Sequence, residues 1–127
     1  MDKKPHERVL CVGPLLPGLR ALQEAIQRQG YDVLLAFTAD HAVAVSIANS
    51  CDAVIVDAEL IRAEGATLAE TLKLARPEIP VLLLDHREDQ SRRDALPKGV
   101  DAAVVGKSHG AVLAWLAAIF EQKHEWG

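Results

Sequence analysis

The chain has 127 residues, 50% of them hydrophobic and 25% charged, with a formal net charge of -4. That length suits one ordinary domain, and that balance belongs to a soluble globular protein and not to a disordered chain. A negative net charge without a basic tract argues against a nucleic-acid surface.

The first apolar run, residues 8–12, reads as a strand ended by the breaker pair Gly13-Pro14. Leu15, Leu19, Leu22 and Ile26 then recur at helical spacing, and Gly30 stands where a helix C-terminus favours glycine. Residues 32–37 form the second strand candidate. A second helix, capped by Asp40, is expected to run to Asn49 with Val43, Ile47 and small alanines facing inward. Residues 51–56 predict a third strand that ends at Asp57. Residues 66–75 predict a helix with Leu68, Leu72 and Ala75 on one side, stopped before Pro77. Residues 79–84 predict a fourth strand ending at Asp85. The stretch 86–98, HREDQSRRDALPK, offers only Ala95 and Leu96 as apolar residues, so a helix there is expected to be short or mobile. Residues 100–105 predict the fifth strand, and Ser108 caps a final helix to about Lys123.

These strands are near-continuous apolar runs, the mark of a parallel sheet covered on both faces. Five strands alternating with helices predict an α/β, doubly wound parallel sheet with helices on both faces. A single domain over residues 1–127, with its core at about 7–123, is expected. The longest apolar run, 111–120, is about half of what a bilayer requires, so no membrane span is expected. The first five residues, MDKKP, lack the apolar core of a signal peptide, which with two cysteines outside any disulfide framework predicts a cytoplasmic protein.

In such sheets ligands gather beyond the carboxyl ends of the strands. This chain places there Gly13 and Pro14, Asp57, Asp85 and His86, and Gly106 and Lys107, so that two carboxylates and one ammonium share an edge. The plainer account makes Asp57 and Asp85 strand-end turn residues. No G-x-G-x-x-G occurs, and Gly106-Lys107-Ser108 lacks the upstream glycine of a phosphate loop, which argues against an unrelated flavodoxin-like enzyme or nucleotide binder. His6, His41, His86, His109 and His124 show no ligand spacing, and no Cys–His or Ser–His–Asp set can be placed, so no metal centre and no enzyme activity are expected.

Three segments, CDAVIVDAEL around Asp57, PVLLLD before the fourth loop and GVDAAVVGKS near the fifth, give the chain a likeness that covers nearly its whole length. In order and spacing it resembles the receiver domain of bacterial two-component response regulators. The resemblance implies the strand order 2-1-3-4-5. It also implies that Asp57 is the aspartate that accepts a phosphoryl group from a histidine kinase, its carboxylate attacking phosphorus with help from a divalent ion and a lysine. With the first and third strands as neighbours, Cys51 falls about 13 Å further from the edge than Cys11. That exceeds the roughly 7 Å between Cα atoms a disulfide permits, so both are expected to be free thiols.

Departures from the family pattern bear on the chemistry. The acidic pair that holds magnesium is replaced by Gly13 and Pro14, which carry no side-chain oxygen, so magnesium is expected to bind weakly or not at all. Acids restored at both positions are expected to raise the affinity. The switch Ser or Thr is replaced by Asp85, whose charge repels a phosphoryl group, and the switch aromatic by Ala103. The lysine falls at Gly106 by counting; a bulge brings Lys107 into place, and without one Lys107 points to the other face. The proline after the phosphoacceptor loop is missing, with Ile61 near its place. The sequence thus predicts a degenerate receiver that works as a binding module, the alternative being a functional phosphoacceptor at Asp57. Lys107 is expected within salt-bridge reach of Asp57 or Asp85, whose carboxylates otherwise repel each other; the alternative leaves Lys107 in solvent.

The final helix carries AVLAWLAAIF, without a polar residue over about three turns. Leu113, Leu116 and Phe120 are expected to face the sheet, which leaves Val112, Trp115 and Ile119 as a partner surface. The resemblance implies dimerisation or output through the face of the fourth helix, fifth strand and fifth helix, so a homodimer through the last helix is expected. The implied partners are proteins, a histidine kinase or another regulator, reached by contact because the sequence shows no output domain.

Overall fold

Five short apolar runs pair edge to edge, and the rest of the fold arises from covering both of their faces. The computed structural model describes residues 7–13, 17–58, 68–85, 99–105 and 109–126. The strands are β1 (Arg8–Val12), β2 (Asp32–Ala36), β3 (Ala53–Asp57), β4 (Val81–Asp85) and β5 (Ala102–Val105). The helices among the described residues are α1 (Pro17–Arg28), α2 (Ala39–Asn49), α3 (Leu68–Ala75) and α4 (His109–Trp126). The sheet is parallel throughout, in the order β2-β1-β3-β4-β5. Chain order reverses between β1 and β3, which makes their carboxyl ends the switch point of the fold.

Alternation along the strands divides the core in two. Leu10, Val12, Val54, Val56 and Val81 meet Ala42 of α2 and Leu68 and Leu72 of α3 on one face. On the other, Val9, Cys11, Ala53, Ile55, Leu82 and Leu84 meet Leu22 and Ile26 of α1 and Val112, Leu116 and Phe120 of α4. Every residue of the central strand β3 is buried. Each of its large apolar side chains contributes roughly 1.5–3 kcal/mol by leaving water.

The helices turn out rotated or capped differently from the sequence expectation in three places. The N-cap of α2 is Thr38, in extended conformation, and its Oγ1 accepts the His41 N–H at 3.1 Å. Asp40 lies in the first turn, where its charge suits the positive end of the helix dipole. Ile47 is 59% exposed, while Ala42, one of the alanines expected inward, forms the buried stripe with Ser46, because a helix lying close to the sheet turns its smaller residues inward. In α4 the sheet-facing stripe is Val112, Leu116 and Phe120, four residues apart. Val112 is therefore core and not partner surface, while Leu113, Trp115 and Ile119 are half-buried along its flanks. Ala75 is exposed, and α3 buries Leu68, Ala69 and Leu72.

At the amino edge two aspartates grip the first residue of a neighbouring strand. The Arg8 N–H donates to Asp52 Oδ2 at 2.8 Å while the Asp52 N–H donates to the Arg8 carbonyl at 2.8 Å. Likewise the Val81 N–H donates to Asp101 Oδ2 at 2.8 Å and the Asp101 N–H to the Val81 carbonyl at 2.9 Å. Beside them, the Arg8 guanidinium donates to the Asn49 carbonyl, one of those the C-terminus of α2 leaves open, and the Arg76 guanidinium donates to the Cys51 carbonyl just beyond that helix.

Cys11 pairs in register with Ile55, four residues beyond Cys51, and the two thiols lie on opposite faces of the sheet. Both are free and buried. Burial pushes the Cys11 thiol from 9.0 up to about 12. Burial also raises Cys51, against the pull of the Arg76 guanidinium. A thiol whose folded pKa is raised stabilises the fold below its unfolded pKa and ceases to do so as pH climbs to the folded value, here between 9.0 and about 12. Urea midpoints are accordingly expected to fall between about pH 8 and about pH 10, and to fall less in Cys11→Ala. An equal fall in both chains would separate the alkaline loss from Cys11.

Candidate functional site

The carboxyl edge of the sheet is built from the residues that come directly after Val12, Ala36, Val56, Leu84 and Val105. Val12 lies in register with Ala36 on one side and Val56 on the other, so the next residue, Gly13, comes to rest beside Asp57. The Gly13 N–H donates to the Ala36 carbonyl at 3.0 Å, which ties this turn to the end of β2. Gly13 is buried, and a Cβ built on it would stand 2.6 Å from Asp57 Cβ and 3.5 Å from Asp57 Cγ. Asp57, the last residue of β3, is only 2% exposed.

Asp85 ends β4 one residue beyond Leu84, the register partner of Asp57. Asp57 alternates with Ala53 and Ile55 on the α1/α4 face, whereas Asp85 alternates with Val81 and Leu83 on the α2/α3 face. Their Cα–Cβ bonds thus leave the sheet on opposite sides. The two carboxylates share an edge, as their strand-end positions require, but strand pairing does not set them side by side.

No family model matches the sequence, and no curated protein matches it. Solved structures do. A response regulator receiver domain protein (CheY-like) from Methanospirillum hungatei superposes with a TM-score of 0.79 at 21% identity, covering 97% of this chain and 100% of that one. A two-component response regulator from Clostridium difficile gives a TM-score of 0.79 at 20% identity over 93% of this chain and 98% of that one. A response regulator from Burkholderia pseudomallei, solved with a phosphorylated aspartic acid, a calcium ion and citrate, gives 0.73 at 23% identity over 94% of this chain and 72% of that one.

The chain has the receiver-domain fold. Hard cations need several oxygen ligands, and the described residues at the carboxyl edge carry few. No group of three or more His, Cys, Asp or Glu side chains among the described residues comes together as a metal site. Gly13 supplies no side-chain oxygen, and Asp57 beneath it is nearly closed to solvent. Magnesium therefore does not fit these residues. Of the two positions where restored acids are expected to raise affinity, position 13 would bring the first carbon of its side chain against Asp57. Ala103 lies exposed on β5 opposite Leu83. Pro14, Ile61, His86, Gly106 and Lys107 lie outside the described residues, and with them the salt bridge expected of Lys107.

The sequence marked Gly13 as half of a strand-ending breaker pair and as a lost ligand. The signal for its further role was present, since a glycine directly after a buried strand allows close backbone approach. What no pattern announced was the neighbour being approached, because Gly13 and Asp57 are 44 residues apart and meet only through strand register. Among the described residues no helix is long and apolar enough to cross a membrane.

Proposed function

We propose that this chain is an atypical receiver of two-component signalling that has lost its phosphorylation chemistry, is not an enzyme, and acts by binding a protein partner. The observation that carries this reading is the contact between Gly13 and Asp57. The aspartate that should attack phosphorus is 2% exposed, and Gly13 against it offers no side-chain oxygen to a metal. An attacking carboxylate needs both an open line to phosphorus and positive charge to neutralise the phosphoryl oxygens.

The partner in this reading is a histidine kinase or another regulator. A second copy of the chain, docked along α4, is the dimer form of the same idea, with Trp115 and Ile119 as its apolar contribution. A cytoplasmic setting goes with two buried free thiols.

A second reading, a working phosphoacceptor, is favoured by one observation: Asp57 stands at the carboxyl end of β3, at the fold's switch point. Incubation with acetyl phosphate and magnesium followed by intact mass decides between them. The expected result is no gain of a phosphoryl group. A gain that disappears in Asp57→Asn would establish the phosphoacceptor and end the degenerate reading.

A further inference from the structure

We infer that Gly13 and Asp57 are matched in size, so that the register of their strands bars an acid at position 13, and with it a cation site completed there, independently of the missing ligands. This deepens the degenerate-site reading and rests on it.

The argument starts from strand register. β1 is held between β2 and β3, with Val12 paired to Ala36 and to Val56. Gly13 continues β1 and remains tied to β2 through its N–H bond to the Ala36 carbonyl at 3.0 Å. Asp57 belongs to β3 and is paired in turn with Leu84 of β4. Neither residue can withdraw from the other without breaking sheet pairing on its far side. Their approach is so close that a Cβ at position 13 would lie 2.6 Å from Asp57 Cβ. Carbon atoms in ordinary contact sit about 3.5–4.0 Å apart. The collision involves the first carbon of each side chain, which no change of rotamer moves.

An acid at position 13 therefore cannot be accommodated while Asp57 keeps its place. Magnesium bound at about 2.0–2.1 Å from its oxygens keeps several waters. Asp57 is only 2% exposed, which leaves them little room. Ligand loss and collision are separate obstacles, and replacing the ligand removes only the first. Gly13→Asp should force β1 and β3 apart at this edge instead of completing a site.

Thermal melts of the full chain with and without magnesium chloride test this in the wild type, Gly13→Asp, Gly13→Ala, Asp57→Gly and the Gly13→Ala/Asp57→Gly double variant. The wild-type Tm is expected to ignore magnesium. Gly13→Asp is expected to lower Tm by about 5 °C or more, with no recovery on adding magnesium. Gly13→Ala is expected to cost less in the Asp57→Gly background than in the wild type, because the colliding carbon is gone. Gly13→Asp melting like the wild type and rising with magnesium would overturn the inference, as would an equal cost of Gly13→Ala in both backgrounds. Should Gly13→Asp fail to fold, the alanine cycle decides alone. Phosphoryl gain by the unmodified chain would overturn the degenerate-site reading in a different measurement, so the two failures are told apart.

Discussion

Gly99→Ala is expected to destabilise the protein by about 3 kcal/mol or more, the largest loss foreseen for any single methyl group added here. Two independent costs add. Gly99 has φ +87, where a residue with a Cβ is strained by roughly 1–2 kcal/mol. A Cβ at this position would also stand 2.7 Å from the Ala69 carbonyl carbon, 2.8 Å from its oxygen and 2.8 Å from the Glu70 nitrogen. Those are backbone atoms of α3, so no side chain can swing aside. Ala69 is fully buried, and α3 brings Leu68 and Leu72 into the core beside it. Relief requires moving the helix off the sheet, and overpacking of this kind costs about 1–3 kcal/mol. Against a total stability of about 5–15 kcal/mol, such a loss shows plainly as a lower urea midpoint at unchanged slope. A loss below about 1 kcal/mol would mean that the chain before β5 does not press on α3 in solution.

Asp101→Ala is expected to cost about 2 kcal/mol, mostly through one backbone group. Asp101 Oδ2 accepts the Val81 N–H at 2.8 Å and the Lys73 ammonium at 2.7 Å. The ion pair is a minor part, since the Lys73 and Asp101 side chains are 24% and 45% exposed and solvent screens them. The Val81 N–H is different: it is partly buried at the first residue of β4, and leaving it without an acceptor costs about 1–3 kcal/mol. Asp101→Asn keeps a carbonyl acceptor without the charge and should retain more than half of the lost stability. Urea unfolding of the two variants measures the split. Equal losses for Ala and Asn would assign the effect to the charge and to Lys73.

The same contact explains a part of the sequence that read only as a strand start. Asp52 and Asp101 each precede a strand and each carries an alanine after it, in CDAVIV and VDAAVV. Each clamps the opening residue of the adjacent strand by one N–H and one carboxylate oxygen. Short polar residues at strand boundaries were visible along the chain, but their partners, Arg8 and Val81, are set by which strands become neighbours.

Much of the architecture was legible because burial on two faces leaves a strong trace. The runs that become β1, β3 and β4 are apolar at almost every position, and only a parallel sheet between helices accounts for that. The position of Asp57 at a strand end comes from the same runs. The inward side of the final helix did not, because ten consecutive apolar residues carry no phase: every rotation offers the sheet an apolar stripe. Packing chose Val112, Leu116 and Phe120, with Phe120 meeting Tyr31 at a ring separation of 5.2 Å. In α2 the contest between Ile47 and Ser46 for the inward side was likewise settled by fit, the smaller residue going under. By itself the sequence determined the layers, the strands and the residues at the carboxyl edge, since these depend on local patterns of apolar and breaker residues. Only the tertiary structure decided that Gly13 lies against Asp57 and that Asp57 and Asp85 leave the sheet on opposite faces. Contact and facing there depend on the register between strands far apart in the chain, and a shift of one residue reverses both.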